Sequence, residues 1–247
     1  QGLHVDWFLA IIALLGGVLL HAMTNVTNDY FDTLKGIDRK GVGTAEYRPH
    51  PLIHGFMTER QVLALGLGSG FVAVVLASLL ISLGRPLALI LGTAGFVLAY
   101  GYSGPPLNLK YVGLGELGVY LAWGVLMPLG AYYVATGALD PRVVVFTLPL
   151  GILVVEVLLA NNTRDIRSDA DVGIRTLAVT LGYERSLALY KALLILSYVI
   201  PPLLVAFGLA PITVLAIYLS APKALRLAST FKAVSYTHLR AHETRHA

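Results

Sequence analysis

Two polar stretches in an otherwise apolar chain have the makings of a cation site. The first is Asn28-Asp29-Tyr30-Phe31-Asp32-Thr33-Leu34-Lys35-Gly36-Ile37-Asp38, and the second is Asn161-Asn162-Thr163-Arg164-Asp165-Ile166-Arg167-Ser168-Asp169. Each contains Asn-x-x-x-Asp, from Asn28 to Asp32 and from Asn161 to Asp165. Four residues along a helix bring two side chains to one face, one turn apart. Mg²⁺ takes oxygen ligands, dehydrates reluctantly, and is held by one or two carboxylates together with the oxygens of a substrate phosphate. Asn28, Asp29, Asp32 and Asp38 supply one such set, and Asp165 and Asp169 supply a facing one. A diphosphate between them would bridge two or more Mg²⁺, with Lys35, Lys110, Arg164 and Arg167 taking the remaining negative charge. The plainer alternative is two solvated helix ends whose acids pair with neighbouring Lys and Arg; the shared pattern favours the ligand reading.

For those ligands to converge, the segments that carry them must be membrane helices. Of the 247 residues 56% are hydrophobic and only 13% charged, with a mean hydropathy of +0.73, about half the charged fraction of a soluble domain. Apolar runs near the ~20 residues that cross a bilayer recur along the chain. They predict an all-α, polytopic transmembrane helical bundle with spans at about 7–28, 60–82, 86–103, 113–136, 142–163, 187–208 and 210–227. Short turns on one side alternate with long polar loops on the other. The long loops hold thirteen Lys and Arg, and the opposite side only Arg85 and Arg142. Positive charge stays inside, so both acidic stretches are expected on the cytoplasmic side, and the net charge of +4 speaks for topology rather than for nucleic acid. The absence of cysteine fits a reducing compartment. Gly66, Gly68, Ser69, Gly70, Gly92 and Gly95 are small residues of the kind that let membrane helices approach closely. Gly113-Leu114-Gly115-Glu116-Leu117-Gly118 matches G-x-G-x-x-G, but a dinucleotide site needs a preceding strand, and here the motif opens a membrane span.

Three motifs in order carry a family resemblance. They are the first acidic stretch; the loop Tyr102-Ser103-Gly104-Pro105-Pro106-Leu107-Asn108-Leu109-Lys110-Tyr111; and Asn161-Asn162-x-Arg164-Asp165-x-x-x-Asp169 through Gly173-Ile174-Arg175-Thr176-Leu177-Ala178-Val179. Over residues 7–230 the chain resembles the UbiA superfamily of intramembrane aromatic prenyltransferases, and most closely the branch similar to 1,4-dihydroxy-2-naphthoate polyprenyltransferase of menaquinone synthesis. The resemblance implies nine helices around a cavity open sideways to lipid, of which about seven are present, with the first and last expected to be absent. It implies that a polyprenyl diphosphate lies in that cavity with Mg²⁺ beneath the two Asp motifs. By position, Asn28, Asp29, Asp32 and Asp38 match the first motif, and Asp165 and Asp169 the second. Asp32, Asp165 and Asp169 are then the expected catalytic residues, and Lys35, Arg48, Tyr102, Lys110, Asn161, Asn162, Arg164 and Arg167 the expected substrate-binding ones. Two departures bear on the acceptor. The common pattern places its last Asp where Gly36 stands, the acid coming two later at Asp38, a shift that the naphthoate-like branch shares. Arg48-Pro49-His50-Pro51 is closer to other branches, whose acceptors are 4-hydroxybenzoate, homogentisate, chlorin, haem or glycerol phosphate.

From a different class, an ion-coupled transporter also uses paired segments with intramembrane acids, but near the bilayer midplane. Here only Glu156 lies deep; it either faces a cavity or bonds a neighbouring helix. Glu116 reads as interfacial. His50 and His54 are four apart, but Pro51 argues against a helical zinc pair, and His21, two turns before Asn28, either faces the cavity or, as the better reading, is a packed, hydrogen-bonded histidine. Residues 1–233 read as one domain, and 234–247 as a non-native tail similar to a translated library adapter, which sets aside the spacing of His238, His242 and His246. The sequons at Asn25 and Asn161 fall at cytoplasmic helix ends.

Overall fold

A long apolar run in a bilayer must close its backbone hydrogen bonds within itself, which leaves a helix as the form available to a single segment. The computed structural model describes residues 4–40 and 48–228, and its regular elements there are helical. In chain order these are α1 (Trp7–Leu34), α2 (Glu59–Ser82), α3 (Leu87–Gly101), α4 (Gly115–Thr136), α5 (Arg142–Arg164), α6 (Ile166–Asp171), α7 (Leu177–Leu181) and α8 (Tyr183–Ala206). Helices α1, α2, α4, α5 and α8 are long and apolar enough to cross a membrane, and α3 is a shorter apolar helix. The protein is therefore a multi-pass membrane protein. The tail at 234–247 and its histidines lie outside the described residues.

Local chemistry sets several helix ends. Asp6 caps α1 by accepting from the Leu9 N–H at 3.1 Å, and Thr58 and Gln61 form a capping box at the start of α2, each satisfying backbone donors that a first turn leaves open. Helices α1 and α2 pack through the small residues of α2. A Cβ on Gly66 would meet the Thr27 methyl at 2.9 Å, and one on Gly70 would collide with the Met23 sulfur and meet the Phe96 ring at 3.0 Å. Gly70→Leu is therefore expected to destabilise the bundle by about 1–3 kcal/mol, the usual cost of overpacking, whereas Gly68→Ala, with nothing within 4 Å of its Cβ, should leave the thermal midpoint in detergent nearly unchanged. Equal midpoints for the two variants would contradict this packing.

The end of the bundle away from the acids is closed by Leu9, Ile12, Leu80, Ala88, Tyr133 and Val134. Arg85 Nε donates to the Val134 carbonyl there at 2.7 Å, joining the α2–α3 turn to α4. The first six predicted spans correspond to these helices, but α1 runs on to Leu34, so that Asn28, Asp29 and Asp32 occupy its last two turns. The predicted seventh span differs. Residues Ile212–Ser220 form a 3₁₀ stretch, none of them buried, which leads into helical residues 221–228. With no buried side to select an α-helical face, this run is fastened to α8 by polar contacts, Tyr218 Oη donating to the Tyr198 carbonyl at 2.8 Å.

Candidate active site

The last turns of α1 present the first acids. Asn28 Nδ2 donates to Asp32 Oδ2 at 2.9 Å, the one-turn relation expected from their spacing. Asp32 is 1% exposed and fully engaged: Tyr111 Oη donates to Oδ1 at 2.7 Å, and the Lys110 ammonium pairs with Oδ2. Asn28 Oδ1 in turn accepts from Ser103 Oγ at 2.7 Å. The loop after α3 thus delivers Ser103, Lys110 and Tyr111 as a block onto α1. Gly36 ends the helix in the left-handed region, φ +72°, and Ile37 and Asp38 both return their N–H groups to the Asp32 carbonyl, at 2.9 and 3.3 Å. A left-handed residue of this kind is a common glycine helix stop. Through it the chain doubles back and sets Asp38, an acid two residues late, in the same cleft as Asp32.

The second stretch supplies the opposite wall. Helix α5 ends at Arg164, and Asp165 bridges to α6, which places the buried Asp169. Asp32, Asp38, Lys110, Asn162, Asp165 and Asp169 line one small cleft. Its polar lining, completed by Ser168 and set against the apolar Ile37, offers hard oxygens at every side chain apart from Lys110. That donor set fits Mg²⁺, and Lys110 already places a positive charge among the acids. Burial, joined by the charges of Asp165 and Asp32 and partly offset by Lys110, pushes the Asp169 carboxyl up to about 6. Burial opposes the Lys110 ammonium, yet the charge of Asp32, with Tyr102 and a hydrogen bond to Asp32, holds its pKa above the ordinary lysine value. Burial, then Asp32, pushes the Tyr111 phenol up, so it stays a donor to that carboxylate.

Several expected residues lie elsewhere. The Asn-x-x-x-Asp relation does not repeat at the second stretch: α5 stops before Asp165, and the inward amide is the buried Asn162, whereas Asn161 is exposed. Adjacent helical residues point about 100° apart, so one of the two must turn away. Arg167 is also exposed and away from the cleft, and Arg164 forms a fork with Asp165, at 2.8 and 2.6 Å. Lys35 lies 4.7 Å above the Tyr111 ring, and Tyr102 packs behind Lys110. Asp29 turns from the cleft toward Arg48, whose Nη2 meets its two oxygens at 2.7 and 2.9 Å. Asp29, Asp38 and His50 offer ligand atoms within 4.8 Å of one another. His50 Nδ1 accepts from the Leu52 and Ile53 N–H groups, and His54 Nδ1 from that of His50, so the two histidines make no zinc pair. Gly113 opens α4 from a 3₁₀ turn, Leu109–Val112, and among the described residues no strand precedes it.

Sequence reasoning set aside Glu116. It is buried, and its Oε1 accepts from Asn162 Nδ2 at 2.9 Å, which leaves the Asn162 amide oxygen for the cleft. A local signal existed in the carboxylate at the start of a span, but its partner is 46 residues away. Beyond Glu116 an apolar cavity of about 360 Å³ opens, lined by Leu117, Tyr120, Val155, Leu159 and Leu193 among others. A polar, acid-lined cleft and an apolar cavity therefore adjoin across Glu116 and Asn162.

Comparison with known proteins bears on the family and the fold. Residues 1–243 match the model of the UbiA prenyltransferase family. The 1,4-dihydroxy-2-naphthoate octaprenyltransferase of Bacillus subtilis (strain 168) is 29% identical over 230 residues, which are 92% of this chain and 72% of that protein. UbiA prenyltransferase domain-containing protein 1 of Dictyostelium discoideum is 30% identical over 210 residues, 78% of this chain and 59% of the relative. The chain thus spans less than two thirds of the second relative's length. In fold it is similar to a UbiA homolog from Archaeoglobus fulgidus, solved bound to GPP and Mg²⁺, with a TM-score of 0.64, 15% identity, and coverage of 93% of this chain and 76% of that one.

Proposed function

Because the chain belongs to the UbiA prenyltransferase family, we propose that it transfers a polyprenyl group from polyprenyl diphosphate to an aromatic acceptor, with 1,4-dihydroxy-2-naphthoate as that acceptor. The observation that carries this is the cleft itself, where Asp32, Asp165 and Asp169 converge from separate helix ends next to an apolar cavity. The Bacillus relative bears the name of that reaction, and the homolog from Archaeoglobus binds a prenyl diphosphate with Mg²⁺.

In this reading Asp32, Asp38, Asp165, Asp169 and the Asn162 oxygen hold Mg²⁺, with Asn28 and Asp29 bracing the first set. Bound Mg²⁺ supplies positive charge to the departing diphosphate. Lys110 moves its ammonium from Asp32 to a phosphate oxygen, and the rigid bond from Tyr111 keeps Asp32 aimed while it does so. The allylic C–O bond breaks with its electron pair leaving on pyrophosphate. The electron-rich ring carbon then forms the new C–C bond, and with dihydroxynaphthoate the carboxylate on that carbon departs as CO₂, its bonding pair restoring the ring. The apolar lining of the adjoining cavity disfavours water near the allylic cation. The excess of Lys and Arg in the long loops, on the side that carries the cleft, supports a cytoplasmic face for this chemistry.

Glu116 has a defined part here, since it fixes the rotation of the Asn162 amide. Glu116→Ala is expected to raise the Mg²⁺ concentration for half-maximal turnover about tenfold, the usual effect of losing a group that orients a ligand. Glu116→Gln, whose amide oxygen still accepts from Asn162, should stay within about threefold; identical Mg²⁺ dependence in all three proteins would remove Glu116 from this role. The reading as a whole is tested by counting radiolabel from polyprenyl diphosphate in products of dihydroxynaphthoate, 4-hydroxybenzoate and homogentisate, with the protein in nanodiscs and Mg²⁺ present. Label on dihydroxynaphthoate alone is expected. Label on another ring would keep prenyl transfer and move the acceptor, and label on none, with the protein folded, would favour ion-coupled transport.

A further inference from the structure

One stripe of α1 changes character halfway across the membrane. Its exposed positions follow helical spacing through Trp7, Ile11, Leu14 and Val18, each more than half exposed, and then continue as His21 and Asn25, also exposed. Next along the stripe come Asn28 and Asp32 of the cleft. The opposite side of the helix is spoken for, with Met23 and Thr27 buried against Gly70 and Gly66 of α2. His21 lies 11 residues before Asp32, or ~16 Å along the helix axis, which is deep in a bilayer. A histidine and an asparagine facing hydrocarbon at that depth would be costly, and the apolar half of the stripe shows what a lipid-facing surface looks like here.

The two polar residues are moreover organised. Asn25 Nδ2 lies 3.1 Å from His21 Nε2. Because the amide nitrogen can only donate, Nε2 accepts, and the neutral ring carries its proton on Nδ1. That leaves an Nδ1–H donor and the Asn25 Oδ1 acceptor side by side. Across from them Trp123 meets the His21 ring edge-on, with centroids 5.2 Å apart at 85°. Trp123 sits in Leu121–Leu126, a π-helical segment of α4, a local distortion often found where a helix re-aims side chains at a functional site. Thr147 Oγ1 supports the segment by donating to the Gly124 carbonyl at 3.0 Å.

We propose that His21, Asn25 and Trp123 form the subsite for the polar edge and ring face of a hydroxylated aromatic acid, the acceptor in the proposed reaction, on which this inference rests. His21 Nδ1–H donates to a carboxylate or hydroxyl oxygen of the ring, Asn25 Oδ1 accepts from a ring hydroxyl, and the Trp123 indole supplies the apolar wall. Asn25 stands three residues, less than one helical turn of ~5.4 Å, before Asn28, which is bonded to Asp32. A ring anchored there presents its face to an allylic carbon whose diphosphate is held at the acids.

The chain has two tryptophans, and Trp7 is exposed at the far end of α1, so Trp7→Phe leaves Trp123 as the sole reporter. In that background, in nanodiscs and without donor or Mg²⁺, dihydroxynaphthoate is expected to quench Trp123 emission saturably. His21→Ala and Asn25→Ala should each raise the half-saturating concentration about tenfold, near the value of one hydrogen bond to a charged group. In turnover the acceptor KM should rise by the same factor while the KM for polyprenyl diphosphate stays within about twofold. His21→Asn, whose amide can place an N–H close to the Nδ1 position, should recover most of the affinity and guards against a variant that fails to fold. Unchanged half-saturation in both alanine variants, or a rise confined to the donor KM, would overturn the subsite while leaving prenyl transfer intact. Absence of transfer to any acceptor would instead defeat the proposed reaction, and the quenching titration would still decide whether this face binds the aromatic acid.

Discussion

Asp32→Asn is expected to lower the rate of prenyl transfer by about 10³-fold or more, with the fold retained. One full charge would be lost from the donor set that holds the cation opposing pyrophosphate, and removal of a single aimed electrostatic contact in a water-poor site already costs about 10²–10³ in rate. The amide keeps an oxygen to accept from Tyr111 and occupies the volume of the carboxylate, so no cavity opens, although its nitrogen replaces the oxygen that accepts from Asn28 and pairs with Lys110 and some stability is lost with the rate. Asp32→Ala is a worse probe. It would strip the buried Lys110 ammonium of its closest partner, and breaking a buried pair by removing one member typically costs about 3–5 kcal/mol. The measurement is single-turnover transfer of labelled polyprenyl chain at saturating Mg²⁺, beside a thermal melt in detergent. A normal rate for Asp32→Asn with a normal melt would sink the assignment of Asp32 as a cation ligand.

Asp169→Asn should move activity and stability in opposite directions. In the metal-free protein the Asp169 carboxyl titrates at about 6, against an ordinary value of 3.8. With the folded value raised, the folded chain binds the extra proton between these two values. Stability is therefore greatest below about 3.8, falls as pH rises through the interval to about 6, and remains lower above it. The rise from 3.8 to about 6 corresponds to about 3 kcal/mol at neutral pH, a cost that an uncharged asparagine avoids. At pH 7.5, without Mg²⁺, Asp169→Asn is thus expected to melt several degrees above the parent protein, and the difference should shrink as pH is lowered toward 4. With Mg²⁺ and both substrates it should show turnover reduced about 10³-fold. Loss of activity together with a lowered melting temperature would mean that Asp169 serves the fold rather than the cation.

The two acids differ in how readable they were. Asn28 and Asp32 sit inside one uninterrupted helix, so their spacing of four predicted the hydrogen bond that is found. The same pattern did not repeat its side-chain contact at Asn161 and Asp165: the Asp165 N–H still bonds the Asn161 carbonyl, but Asp165 caps the end of α5 with its carboxylate held by Arg164, and the Asn161 side chain is exposed. Asp169 lines the cleft beside the other acids, but its burial, on which its raised pKa depends, comes from how α6 lies under neighbouring segments. Glu116 was passed over as interfacial. Whether a carboxylate at the mouth of a span is wet or buried depends on what covers it, and its cover comes from a helix far along the chain. His21 was expected to be a packed histidine, whereas its ring is exposed beside Asn25 and Trp123.

By itself, the sequence determined the class of the molecule: a polytopic helical bundle, its first six spans, and the two acidic stretches. These follow from composition and from periodicity along a few turns, which are local properties. Only the tertiary structure decided which side chains meet. Asp32 pairs with Lys110 and Tyr111 across 78 and 79 residues, Gly36 folds Asp38 back beside it, and the rotation of α5 turns Asn162 rather than Asn161 inward. A helix's phase about its own axis is set by the neighbours it packs against, and for these helices the neighbours lie far away in the chain.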